Sequence, residues 1–144
     1  MTNLTILGPA AVLILWSLVV LLWLVITRFT GFDQAGIDIS DAPSGSRYAD
    51  VEKDMPAKAN WVSHNYTHLM EQPTIFYAVV IILALAGDSS SASIALAWAY
   101  TGIRITHSLW QGLVNIVTVR VVLFTLSTFC LLALAVRAVT RILL

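Results

Sequence analysis

His64, His68 and Glu71 stand at i, i+4 and i+7, the spacing that places three side chains on one stripe of a helix. Two imidazoles and a carboxylate on one face can ligate a metal ion. Farther along, Arg104, His107, Gln111 and Asn115 fall at i, i+3, i+7 and i+11 as a second stripe, and Arg120 follows. All of them lie in or beside long apolar segments. Ionisable groups within a bilayer are rare, face a bundle interior or a cavity, and are functional candidates by default. Glu71 is the only carboxylate set clearly within those segments. An uncompensated arginine at the middle of a membrane helix costs about 2.5–3.5 kcal/mol, so Glu71 is expected to pair with Arg104 or Arg120. Such a pair can serve simply to fix helix register. More than one arginine for one carboxylate, however, leaves spare positive charge, which a ligand bearing a carboxylate or a thiolate would balance.

The same residues admit other readings. As a metal site, the stripe would use His64, His68 and Glu71 and make the chain a metal-dependent membrane enzyme, although it lacks the H-E-x-x-H arrangement of helical zinc sites. Equally, two histidines on an interfacial helix can be hydrogen-bonded or solvent-facing, and His107 alone reads as a satisfied interior histidine. The one cysteine, Cys130, excludes an intramolecular disulfide and a cysteine-rich metal centre, and reads as a small packing residue. The formal net charge is zero and the eight Lys and Arg residues are scattered, so no nucleic-acid partner is implied.

The elements that carry these residues belong to a membrane protein. Of the 144 residues 58% are hydrophobic and 11% charged, with a mean hydropathy of +0.84. That composition fits a single domain of the all-α, integral-membrane class. Residues 4–27 hold no charged side chain, a run of about 24 against the roughly 20 needed to span a bilayer. With no basic residue before Arg28, the run reads as a spanning helix rather than a cleaved leader. Four helices are expected, at about 4–28, 57–86, 92–111 and 113–137. Residues 29–56, rich in Gly, Pro and acids, read as a solvated loop. Pro73 is expected to kink or locally break the second helix.

Arg28, Arg47, Lys53 and Lys58 gather in or beside the 29–56 loop, while the N-terminal tail and the turn at 87–91 carry no basic residue. The positive-inside rule then puts the loop in the cytoplasm and both termini outside, against the pull of Arg137 and Arg141. In this topology Glu71, Arg104, His107 and Arg120 share one leaflet, with Arg120 about 12 Å along the fourth helix at 1.5 Å per residue.

The runs HNYTHLMEQPTIFYAVVIILALAG and LAWAYTGIRITHSLWQGLVNIVTVR also carry a resemblance. Across about residues 60–137 the chain is similar to the MAPEG family of membrane-associated proteins in eicosanoid and glutathione metabolism, and it resembles bacterial members most. The resemblance implies a four-helix bundle that assembles as a homotrimer in the inner membrane and holds glutathione between subunits near the cytoplasmic face. It implies a glutathione-dependent transferase or peroxidase that delivers the thiolate to a lipophilic substrate from the bilayer. By the same resemblance Glu71 matches the glutamate that holds glutathione, Arg104 a helix-3 arginine that binds it, and Arg120 the arginine that stabilises the thiolate. His107 and Gln111 lie along the same face as Arg104. Three positions depart from eicosanoid-type members. His64 stands where they have an arginine, His68 where they have an asparagine, and Gln111 where they have a tyrosine. Asn65 stands in for the missing asparagine only if the helix is locally rotated. The family also includes a non-catalytic binding protein, so a lipid-binding or scaffold role is the alternative.

Overall fold

The computed structural model describes residues 4–88 and 90–144. Its long helices are α1 (Gly8–Ala35), α3 (Ala57–Leu85), α4 (Ser91–Leu113) and α5 (Val117–Leu143), with a short α2 (Tyr48–Val51) in the loop between α1 and α3. Among the described residues there is no strand, and the chain is an all-helical membrane bundle. A 3-10 turn at Leu4–Leu7 leads into α1, whose Pro9 costs nothing in a first turn that has no intrahelical acceptor for its nitrogen. The apolar Val, Leu and Ile run that follows is long enough to cross a bilayer.

α1 does not stop near residue 28 as the sequence suggested; it runs on to Ala35. Two features account for this. Gly31 is a packing residue rather than a breaker, because a Cβ there would lie 2.7 Å from Met55 Cε and 3.3 Å from Ala59 Cβ. Arg28 is pinned as well, donating to Ser63 Oγ at 3.0 Å with its guanidinium 4.0 Å from the centre of the Tyr48 ring. Gly36, at φ 67°, ends the helix in a left-handed cap with Ile37 N bonded to Phe32 O, as such caps require. The remaining loop is not featureless. Tyr48 Oη donates to Asn60 Oδ1 at 2.6 Å and Asn60 Nδ2 to Glu52 O at 2.8 Å, which ties α2 and the following turn to the start of α3.

α3 continues without a break through Pro73, whose ring is buried. Neither end of the α4–α5 junction falls where it was expected. α4 includes Gly112, where a Cβ would lie 2.7 Å from Trp23 Cζ3, so this glycine lets α1 and α4 touch instead of ending a helix. Asn115 then takes a positive φ of 61°, which asparagine tolerates better than most residues, and turns the chain into α5.

The core forms along the bundle axis from Ile6, Leu13 and Val20, from Leu69, Phe76, Val80 and Leu83, and from Ala97, Tyr100, Leu131 and Leu134. Phe76 and Tyr100 stack with ring centroids 4.3 Å apart. α4 reverses the polarity of a soluble amphipathic helix: it buries Ser93, Thr101, Arg104, His107, Ser108 and Gln111 and turns Trp98 and Leu109 outward. Three helices, those at Leu4–Ala35, Ala57–Leu85 and Val117–Leu143, are long and apolar enough to cross a membrane on their own. α4 packs against all three and turns its polar stripe inward.

The end of the bundle far from the loop is closed by one buried acid. Asp88, whose side chain is wholly buried, accepts from Ser93 Oγ at 2.6 Å and from Ser90 N at 3.0 Å. Arg137 lies 3.7 Å and Arg141 3.8 Å from its oxygens, and Arg137 also donates to both serine hydroxyls. The two arginines that ran against the charge rule are therefore committed to the α3–α4 turn. Burial pushes the Asp88 carboxyl up, but the Ser93 and Ser90 hydrogen bonds and Arg137 outweigh it and hold it at about 2, below its ordinary 3.8. A depressed carboxyl contributes stability that is present above its unfolded value and lost as pH falls through its folded one. Asp88→Asn is expected to lower stability at pH 7 by about 2 kcal/mol. It should also flatten the loss that wild type shows between about pH 4 and 2. Thermal unfolding of both proteins in detergent across that range checks this.

Candidate functional site

α3, α4 and α5 meet around a cavity of about 290 Å³ lined by His68, Glu71, His107, Val117, Arg120, Val121 and Phe124. Each helix contributes one polar face. α3 brings His68 and Glu71 on successive turns. Gln72, one residue on, points the other way into the bundle, where its Nε2 donates to Thr128 Oγ1 at 2.8 Å and its Oε1 lies 3.4 Å from the hydroxyls of Tyr100 and Ser127. This inward anchor fixes the helix rotation and leaves the neighbouring Glu71 exposed at the cavity.

Arg104 sits behind the cavity, 1% exposed. It donates Nη2 to the backbone carbonyl of His68 at 2.7 Å and lies 5.7 Å from the centre of the Phe124 ring. Its Nε and Nη1 have no hydrogen-bond partner among the described residues, a costly state for buried donors. Gln111, fully buried, accepts through Oε1 from the His68 ring, Nδ1 to Oε1 being 2.9 Å. The His68 and His107 rings stack at 6.1 Å, and Trp16 Nε1 donates to Ser108 Oγ at 3.0 Å to brace α4 from the α1 side.

Arg120 lies in the first turn of α5, not two turns inside it, because α5 begins at Val117. Its Nη1 donates to Asn115 Oδ1 at 2.9 Å, and its Nε is buried without a partner. The α5 N-terminus has no side-chain cap, so free backbone N–H groups add partial positive charge next to the guanidinium.

The expected ion pair does not form: among the described residues Glu71 has no basic partner within salt-bridge distance, and the ion pairs present are those of Glu52 and Asp88. The site thus gathers two guanidiniums around an exposed carboxylate without joining them. The His64–His68–Glu71 stripe also divides. His64 is exposed and reaches Glu52 in the loop, away from the cavity, while His68 turns to Gln111. No group of three or more His, Cys, Asp or Glu among the described residues is placed to hold a metal ion. Asn65 does not reach the cavity either; it is 1% exposed with both amide atoms unpartnered. Asn115 leaves the α4 stripe for the turn, where it braces Arg120.

Sequence reasoning missed the apolar wall. Val117, Val121 and Phe124 fall at i, i+4 and i+7 beside Arg120 at i+3, a spacing that puts all four on one face. In a helix that is apolar all round, the arginine was the only marker of which face mattered.

No curated protein and no solved structure matches the chain. The model of the MAPEG family matches residues 6–140 of the 144. Taken with the membrane bundle and with the glutamate and arginines on three facing helices, this match places the chain in the MAPEG family.

Proposed function

We propose that the protein is a trimeric, thiol-dependent transferase or peroxidase. In this reading the α3–α4–α5 cavity binds glutathione and activates its sulfur toward lipophilic electrophiles. The observation that carries the reading is the unpaired donors: among the described residues, buried guanidinium nitrogens of Arg104 and Arg120 lack partners, and Glu71 forms no ion pair with either. A peptide with two carboxylates, an ammonium group and a thiol fits that donor set. Glu71 would hold the ammonium group or a backbone amide, Arg104 and its neighbours a carboxylate, and Arg120 with the α5 N-terminus the sulfur. A cation beside a thiol lowers its pKa and raises the thiolate fraction at neutral pH. The apolar wall of Val117, Val121 and Phe124, each at least 41% exposed, opens toward the bilayer from which an apolar substrate would arrive.

α5 leaves most of its length uncovered, with Val121, Phe124, Phe129, Leu132, Val136 and Val139 exposed. We place neighbouring subunits against this bundle, closing the cavity, and we place the loop of residues 36–56 at the cytoplasmic face of a bacterial inner membrane, on the Lys and Arg bias. The apolar wall also favours a second reading, in which the cavity holds a lipid without catalysis.

Glu71→Gln keeps the side-chain shape and removes the charge. Calorimetric titration of the solubilised protein is expected to show glutathione binding at least tenfold weaker than in wild type, about 1.4 kcal/mol. Equal affinity would remove Glu71 from the site.

A further inference from the structure

His68 occupies a position that the resemblance assigns to asparagine, and its surroundings give it a capacity asparagine lacks. We infer that His68 is the proton acceptor of the site, with Gln111 as the residue that positions it. This rests on the thiol-binding reading above. Gln111 presents Oε1 to His68 Nδ1 at 2.9 Å, and a carboxamide oxygen only accepts hydrogen bonds. Nδ1 therefore carries the hydrogen, and the lone pair of the neutral ring is on Nε2. Gln111 is wholly buried and takes no part in the cavity lining, whereas His68 does line it. The Nδ1 edge thus faces the interior, and the Nε2 edge is the one left for the cavity. Two further contacts hold the ring in place: it stacks on His107, and the backbone carbonyl of His68 is clamped by Arg104 at 2.7 Å.

An imidazole with a fixed tautomer, lining the same cavity as Arg120 and Glu71, is equipped for one step. His68 Nε2 takes the proton of the bound thiol, the S–H electron pair stays on sulfur, and Arg120 faces the resulting thiolate. Glu71, one turn along α3, offsets the charge that forms on the ring. The thiolate lone pair then forms the bond to the electrophile, and the bond to the leaving group breaks with its electron pair. The imidazolium returns the proton to that leaving group, or to the adduct where nothing departs. Of the other ionisable groups, Arg104 and His107 on α4 touch His68 directly, while His64 on α3 is held by Glu52. α1 adds Arg28, engaged by Ser63 and Tyr48.

The test has two parts. Nitrogen-15 NMR of the histidine rings in the detergent-solubilised protein is expected to show His68 protonated at Nδ1 with Nε2 unprotonated. In Gln111→Leu the two tautomers should mix. An Nε2-protonated ring in wild type overturns the inference with no thiol present. With glutathione bound at pH 7, His68→Gln should lower the thiolate read by ultraviolet difference absorbance, and kcat/KM with chlorodinitrobenzene should fall about a hundredfold, within the usual range for losing a general base. The deficit should shrink as pH rises past about 8.5, the ordinary thiol value, where the solution removes the proton unaided. A misfolded variant would not recover. Glutathione that binds and ionises equally in wild type and His68→Gln overturns this inference alone. A wild type that binds no glutathione overturns the thiol reading and this inference with it.

Discussion

Arg120→Ala is expected to lower thiol conjugation by about 10²–10³-fold, the usual effect of removing one preorganised group that stabilises developing negative charge. Arg120 is the only guanidinium on the cavity wall itself, and its hydrogen bond to Asn115 Oδ1 fixes where it points. Its Nε has no acceptor among the described residues, so the protein already carries the cost of aiming it. Truncation leaves behind only the Asn115 oxygen, in a turn of intermediate exposure. The helix should therefore survive, because α5 is held by its buried Leu131, Leu134 and Ala138 and alanine is the best helix former. Steady-state turnover, with glutathione affinity and assembly size measured alongside, checks the prediction: kcat falls while the assembly is unchanged. Unchanged turnover removes Arg120 from the mechanism.

Arg104→Met is expected to separate stability from function. Arg104 is a cation 1% exposed, with one good hydrogen bond and two nitrogens unpartnered among the described residues. Losing its bond to the His68 carbonyl costs about 1–3 kcal/mol. Removing an uncompensated buried charge returns several kcal/mol, and replacing buried ionic groups by apolar ones of similar shape is often neutral or stabilising by about 1–4 kcal/mol. Desolvation is the larger effect, so the methionine variant should unfold at the same temperature as wild type or higher. Wild type should gain stability with added glutathione by mass action, and the variant should gain none. A variant several kcal/mol less stable than wild type would make Arg104 a structural strut and leave the unpaired donors without a ligand to explain them.

How far the residues themselves foretold this arrangement depended on what each segment had to distinguish. Apolar length marked the spans, because a bilayer demands about 20 such residues whatever their order. Helix ends were harder to place. Gly31 and Gly112 looked like breaks and proved to be points of close approach to Met55 and Trp23, a role that depends on the neighbouring helix and leaves no mark on the local pattern. Pro73 likewise sits inside α3 without ending it.

At the site, the stripes of α3 and α4 could be read from their spacing, and with them the convergence of His68, Glu71, His107 and Arg104. The pairing of Glu71 with an arginine was inferred from charge alone, and geometry overruled it. Gln72 fixes the rotation of α3 and Arg104 spends its one hydrogen bond on the His68 carbonyl. His64 could not be separated from His68 by spacing, since its partner, Glu52, lies in a loop whose fold no periodicity reports.

The central claim is that this cavity is a thiol site completed between subunits. Native mass spectrometry of the solubilised protein tests it most directly, with glutathione added at millimolar concentration. The expected result is a trimer whose mass rises by whole glutathione molecules, up to one per subunit, with that shift lost in Arg104→Met. A trimer that keeps a co-purified lipid and takes up no glutathione, or a protein that does not assemble, would contradict it.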